Sequence, residues 1–266
     1  MTQLSLAFSP CPNDTFMFHA MVHGLTDTGG LTFRPELHDV GALNIFAFSE
    51  RFDITKLSFF AYLKLKDQYT LLDTGAALGF GCGPLLVAKN PEAFTPEATI
   101  AIPGALTTAN LLLKLWNLDA HNTVVTRFDN ILKGVADGTY DAGLIIHEGR
   151  FVYQDYGCRE IVDLGRWWEE RTGLPIPLGC IAIRNESPVI EYKDRVQKTL
   201  KDSIHYAFTH PKESRDYIKQ HAQEIDDAVI ADHIKLYVNE FSLGLGEMGR
   251  RAIAKLEEMA TWADVL

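Results

Sequence analysis

An α/β protein of two lobes, with mixed sheets flanked by helices and a ligand cleft between the lobes, is what this 266-residue sequence predicts. Short apolar runs such as Leu4 to Phe8, Leu85 to Ala88 and Ala142 to Ile146 are bounded by turn residues, as strands buried on both faces are. Helical stretches that open on polar residues separate these runs, so strands and helices alternate. The polar, proline-bearing stretch from Asn90 to Pro96 and an apolar strand ending at Arg184 mark two crossings between lobes. Residues 1–90 with 185–266 then form one lobe and 91–184 the other.

Leu4 to Phe8 reads as the first strand, followed by Ser9-Pro-Cys-Pro-Asn-Asp-Thr15, whose prolines forbid strand pairing or a helix start before Asn13. Asn13 or Asp14 then caps a helix running from Thr15 to about His23 and ended by Gly24. A rigid polar loop and a helix N-terminus thus meet at a strand's carboxyl edge, where backbone N–H groups and the helix dipole favour an anion. His19 and His23 have the spacing of paired zinc ligands but no third ligand nearby, so packing or exposure is the expected role. Leu31 to His38 is a second strand, and Gly41 to Phe48 a short helix from which Asn44 can face the crevice. In the strand-like Asp53 to Ser58, Ile54, Lys56 and Ser58 share one face, and a helix continues from Phe59 to Lys66. Lys56 and Ser58 therefore suit a polar or anionic group, with a surface lysine and a capping serine as the alternative.

Gly75 to Pro84 is glycine-rich but lacks the G-K-[ST] of a phosphate loop and leads into a strand, so it reads as a hinge or close-packed bend. Thr99 to Ile102 is the next strand, and Thr107-Thr108-Ala109 opens a helix to Leu115. That hydroxyl-rich helix N-terminus could take a carboxylate, or Thr107 could simply cap it. Asn122 to Arg127 is a strand and Asp129 to Val135 a helix, ended by Asp137-Gly138. Then comes Ala142-Gly-Leu-Ile-Ile-His-Glu-Gly-Arg150. Its apolar strand delivers His147 as the first residue out of the core, at the carboxyl edge where open α/β sheets place their ligand crevice. There a neutral imidazole could face a substrate, or a polar residue could merely end a strand. Arg166 to Arg171 reads as an amphipathic helical turn with Trp167 or Trp168 over the crevice, and Leu178 to Arg184 as the returning strand. From Val189 the pattern is helical, broken at Pro211, near Asp226 and around Gly244 to Gly249, and His205, His210, His221 and His233 read as surface or packing residues.

The bulk numbers, 47% hydrophobic and 23% charged, are ordinary for a globular protein. A net charge of −10 argues against nucleic acid or an anionic membrane as partner, though a local site can still hold a small anion. Met1-Thr-Gln-Leu-Ser lacks the basic and apolar regions of a signal peptide, and no apolar run nears the ~20 residues that span a bilayer. Cys11, Cys82, Cys158 and Cys180 are far apart, so free thiols in a reducing cytoplasm are expected.

Ser9-Pro-Cys-Pro-Asn-Asp-Thr-Phe16, Thr55-Lys-Leu-Ser58, Thr107-Thr-Ala109, Gly143-Leu-Ile-Ile-His-Glu148 and Gly165-Arg-Trp-Trp-Glu-Glu-Arg-Thr-Gly-Leu-Pro175 carry a resemblance across nearly the whole chain. Together they resemble the 1,4-dihydroxy-6-naphthoate synthases of the futalosine route of menaquinone biosynthesis, and the two-lobed layout resembles the type II periplasmic binding proteins. The resemblance implies a cytoplasmic lyase on a solute-binding scaffold. Its substrate would be cyclic dehypoxanthine futalosine and its products 1,4-dihydroxy-6-naphthoate and dihydroxyacetone. It also implies His147 as the base, substrate contacts from Lys56, Leu57, Ser58, Thr108 and Ala109, and a cleft lined by Asp14 and Asn44. The substrate carboxylate would sit on the Thr107/Thr108 helix N-terminus and Ser58. Some members carry an arginine in the glycine-rich segment where this chain has Phe80, which puts a polar contact from that position in question.

Aromatisation drives such a cleavage, so the protein needs a base, orientation and exclusion of water. No cofactor is expected, and no metal, because H-E-G-R-F lacks the second histidine of a zinc helix. Glu148 is not expected to orient His147, since neighbours on a strand point to opposite faces. Cys11 is expected to pack rather than react. The partner is a small aromatic carboxylate, and the sequence leaves a homodimer open. The rival readings are a binding module without turnover and a chorismate dehydratase of the same fold.

Overall fold

The structure is a computed structural model and describes residues 2–222 and 226–266, so the helical pattern at 223–225 lies outside the described residues. The chain opens with β1 (Thr2–Phe8), α1 (Pro12–Val22), β2 (Leu31–Leu37), α2 (Val40–Ala47), β3 (Ile54–Ser58) and α3 (Phe59–Lys64). Strand β1 pairs in parallel with β2 and β3, the pattern that crossover helices impose. Two short strands, β4 (Tyr69–Leu71) and β5 (Ala77–Gly79), precede β6 (Leu85–Ala88) and β7 (Ile100–Ile102). Next come α4 (Thr108–Trp116), β8 (Thr123–Val125), α5 (Phe128–Ala136), β9 (Ala142–Ile145) and α6 (Gly149–Val152). Strand β10 (Arg159–Asp163), α7 (Leu164–Thr172) and β11 (Ile176–Arg184) lead to the C-terminal helices. These are α8 (Lys193–Thr209), α9 (Arg215–His221), α10 (Asp227–Tyr237), α11 (Glu240–Leu243) and α12 (Gly246–Trp262).

One sheet has the order β2-β1-β3-β11-β4 with β5 also on β11, and the other β10-β6-β9-β7-β8. Both are mixed: β11 runs antiparallel to β3, β4 and β5, while β7, β8 and β9 are parallel and β6 antiparallel to β9 and β10. Strand β6 already belongs to the second sheet and the whole of β11 to the first. The chain therefore passes between sheets just before β6 and just before β11, ahead of the crossings expected near 90 and 184. A continuous apolar core runs from Leu57 and Phe59 through Leu112 and Leu144 to Leu256 of α12, tying the two sheets and the C-terminal helices together.

Three details depart from the sequence reading. Helix α1 starts at Pro12 rather than Thr15, because proline at the first helical position has a helical φ and lacks an N–H that would be unpaired there. Trp168 does not cover the crevice: it is fully buried in the main core, its indole N–H donating to Pro175 O at 3.1 Å, and Trp167 packs against the same cluster. Strands β4, β5 and β10 were not legible, being short and without clear alternation. The glycine-rich segment is a close-packed bend. Gly83 abuts Gly165, and a Cβ on Gly83 would stand 2.2 Å from Gly165 Cα and 2.3 Å from its N. Backbone cannot retreat as a flexible side chain can. Gly83→Ala is therefore expected to destabilise by at least the ~1–3 kcal/mol of an overpacked core, read as a lower urea midpoint at unchanged m-value. An unchanged midpoint would show that the loop before β6 and the start of α7 move apart freely.

Candidate active site

Between the sheets lies a cleft of about 550 Å³, its open mouth included. The first lobe lines it with Asn13, Lys56, Ser58, Leu178 and Gly179, and the second with Thr107, Thr108, Ala109, Ile146 and His147. Tyr237 of α10, Cys82 and Pro84 complete much of the wall. Six of the residues singled out in the sequence therefore share one cavity: Lys56, Ser58, Thr107, Thr108, Ala109 and His147.

His147 stands two residues beyond β9 with φ +54, a left-handed conformation that costs an ordinary side chain on the order of 1 kcal/mol or more. The backbone turns there from strand into α6. The half-buried ring stacks on His233 (centroids 5.9 Å, planes 9° apart) and packs against Phe128 at 5.3 Å and Tyr237 at 6.5 Å. Among the described residues no hydrogen bond orients the His147 ring; packing does. Desolvation in this setting pushes the His147 pKa down to about 4, Asp14 opposing the shift and Lys56 reinforcing it. The imidazole is therefore neutral at pH 7, with a nitrogen lone pair to accept a proton.

Asp14 and Asn44 do not line the cleft; they stand behind residues that do. Asp14 is fully buried and accepts from Lys56 Nζ at 2.6 Å, Ser9 Oγ at 2.7 Å, Ser9 N at 3.1 Å and Asn13 Nδ2 at 2.9 Å. It is thus not the helix cap that its position suggests, and α1 has no side-chain cap. Asn44 clamps Ser58, accepting from Ser58 N at 2.9 Å and donating to Ser58 Oγ at 3.0 Å, which leaves the serine O–H to donate elsewhere. Leu57 points the other way, into the main core, as alternation on β3 requires.

Of the two readings of the helix start at Thr107, capping and a hydroxyl cradle, the structure shows the capping. Thr107 caps α4, accepting from Asn110 N at 3.2 Å and donating to Gly104 O at 2.8 Å. Thr108 Oγ1 donates to Leu178 O at 2.8 Å and accepts from Phe60 N at 3.2 Å, bridging the lobes. Both hydroxyls are occupied, so an anion here would take the N–H groups of the first turn of α4.

Several site residues escaped the sequence reading. His233, read as a surface or packing residue, is fully buried and reaches the site, its Nε2 at 3.0 Å from Asn13 Oδ1 and its Nδ1 at 3.7 Å from Glu148 Oε2. Burial holds its pKa well below the ordinary value. Ile230, His233 and Tyr237 form the buried stripe of α10, an i, i+3, i+7 spacing that could have marked His233 as inward-facing. Glu148 is buried and brings a carboxylate oxygen within 4.8 Å of a His147 ring nitrogen and of Cys11 Sγ. Opposite pointing, expected from strand geometry, does not apply because β9 ends at Ile145. Burial, with Glu148 adding to it, pushes the Cys11 thiol well up. All four cysteines are buried free thiols. Phe80 is 50% exposed and outside the cleft wall. His19 is buried and packs at a 40° tilt against exposed His23, ring centroids 4.6 Å apart.

A family profile described as menaquinone biosynthesis matches residues 4–261. The chain is 48% identical over 258 residues to a Thermus thermophilus protein named 1,4-dihydroxy-6-naphtoate synthase, covering 96% of this chain and 93% of that one. It is 42% identical over 260 residues to a Streptomyces coelicolor protein of the same name, covering 95% and 91%. A crystal structure of an Archaeoglobus fulgidus protein superposes with a TM-score of 0.93 at 37% identity, covering 99% and 98% of the two chains. A Candida albicans gene product, described as exhibiting the generic periplasmic binding protein structural fold, superposes with a TM-score of 0.66 at 15% identity, covering 100% and 91%. That last likeness bears on the fold alone, and the fold is periplasmic-binding-protein-like, as the sequence predicts.

Proposed function

This chain belongs to the menaquinone-biosynthesis family, and from that premise we propose that it is a lyase converting cyclic dehypoxanthine futalosine to 1,4-dihydroxy-6-naphthoate and dihydroxyacetone, with His147 as general base. The observation that carries the reading is a neutral imidazole facing the same cleft as Thr108 and Ala109, the first residues of α4.

The N–H groups at the start of α4 and the Ser58 hydroxyl hold the substrate carboxylate, which offsets the chain's acidity locally. Lys56, neutralised from behind by Asp14, turns its remaining donors to the polar oxygens of the sugar-derived ring. His147 takes the proton whose loss opens the route to the aromatic product. The apolar wall from Ile146, Leu178 and Tyr237 keeps water from the intermediate. Leu57 contributes through its backbone, its side chain being committed to the core. The protein works in the cytoplasm: four free thiols suit a reducing compartment, and among the described residues no helix is long and apolar enough to cross a membrane.

The sign of the pH dependence follows from the neutral base. Protonation below about pH 4 removes the acceptor, so kcat/KM is expected to stay on its plateau through pH 5–6 and to fall only as pH drops toward 4. An acid limb centred at the ordinary histidine value of ~6.5 would show that the free enzyme's base is not this desolvated ring. To test the function itself, the purified protein is supplied separately with cyclic dehypoxanthine futalosine and with chorismate. Formation of the dihydroxynaphthoate and an equivalent of dihydroxyacetone from the first alone is expected. Turnover of chorismate would make it a dehydratase, and binding without product a solute-binding module.

A further inference from the structure

We propose that Cys11, His147 and Glu148 form a site for a thiophilic divalent cation such as zinc, and that filling it switches the enzyme off. Each residue offers one ligand atom, and the three atoms lie within 4.8 Å of one another. A cation held by thiolate, imidazole and carboxylate at ~2.0–2.3 Å would bring them to about 3.3–3.6 Å apart, a small contraction. The left-handed turn at His147 explains how two successive residues aim donors at one point, which a strand would forbid. Cys11 comes from the opposite lobe, in the loop after β1, so the cation would also pin the lobes together.

The charges close. Thiolate and carboxylate cancel the dication, and the neighbouring Lys56 is already cancelled by Asp14, so the buried group is neutral as a whole. On binding, the Cys11 S–H proton leaves to solvent and the sulfur–metal bond takes its place. Three protein ligands leave a fourth position, which His147 turns toward the cleft for water or a substrate carboxylate. The imidazole lone pair spent on the metal is the one the proposed reaction needs. Inhibition thus rests on His147 being the base, whereas binding does not.

The test begins with Co²⁺ alone, titrated into the full-length metal-free protein. A stoichiometric thiolate-to-cobalt charge-transfer band, abolished by Zn²⁺, is expected. Cys11→Ser should lose the band, Glu148→Gln should bind at least tenfold more weakly, and Cys158→Ser should behave as wild type. X-ray absorption of zinc-loaded wild type needs no variant to fold and is expected to show one sulfur ligand. A band that survives in Cys11→Ser, unchanged affinity in Glu148→Gln, or a zinc shell without sulfur overturns the site. Zinc should also stop turnover, reversibly on chelation. Zinc bound at this site without inhibition would overturn the switch and count against His147 as base, whereas absent binding would leave that reading untouched.

Discussion

His147→Asn is expected to lower kcat on cyclic dehypoxanthine futalosine by about 10²- to 10⁴-fold, the range a positioned general base supplies. Asparagine is the informative replacement because residue 147 sits at φ +54, a region that asparagine tolerates better than most side chains. Alanine would confound loss of the base with strain in the turn that leads into α6. Substrate affinity should change only a few-fold, since carboxylate and ring contacts come from α4, Ser58 and Lys56. A loss confined to kcat places the interaction in the transition state. Wild-type kcat in this variant would remove His147 from the chemistry.

The second large effect is on stability. Asp14→Ala deletes the acceptor of four donors in a fully buried position and strands the charge of Lys56, whose side chain is 6% exposed. Breaking a buried pair by removing one partner costs about 3–5 kcal/mol, so the urea midpoint should fall steeply. The companion is Asp14→Asn with Lys56→Met, which removes both charges, keeps most of the volume and is expected to recover much of the loss. If Asp14→Ala alone costs under ~1 kcal/mol, water must reach Lys56, and the dry, charge-balanced floor of the cleft is not there. The fold should lean on this pair even though its lysine faces the cleft, which ties stability to the site.

The sequence made the local parts of the site legible and left the assembled parts hidden. A short apolar strand followed by His147, Glu148 and a glycine could be read directly, because burial on both faces and the turn that follows are both written within ten residues. Lys56 and Ser58 could be placed by alternation on one strand, and Thr107 by the preference of hydroxyls for helix starts. What failed were inferences that needed to know where an element stops. Glu148 was turned away from His147 by a strand geometry that ends at Ile145. Trp167 or Trp168 was given to the crevice, yet the Trp168 indole goes where an apolar core and a carbonyl partner for its N–H both exist. His233 and Asn13 meet across 220 positions of sequence, and no local pattern announces such a contact. Cys82 and Tyr237 reach the wall by the same kind of long-range packing.

Substrate orientation joins all these claims, and the structure of His147→Asn with bound cyclic dehypoxanthine futalosine measures it. The carboxylate is expected within about 3 Å of the Thr108 and Ala109 backbone nitrogens and Ser58 Oγ, with the sugar-derived ring turned to residue 147. A carboxylate seated on Lys56 with that ring facing away from residue 147, or a substrate bound outside the cleft, would contradict both the assigned base and the assigned anion site.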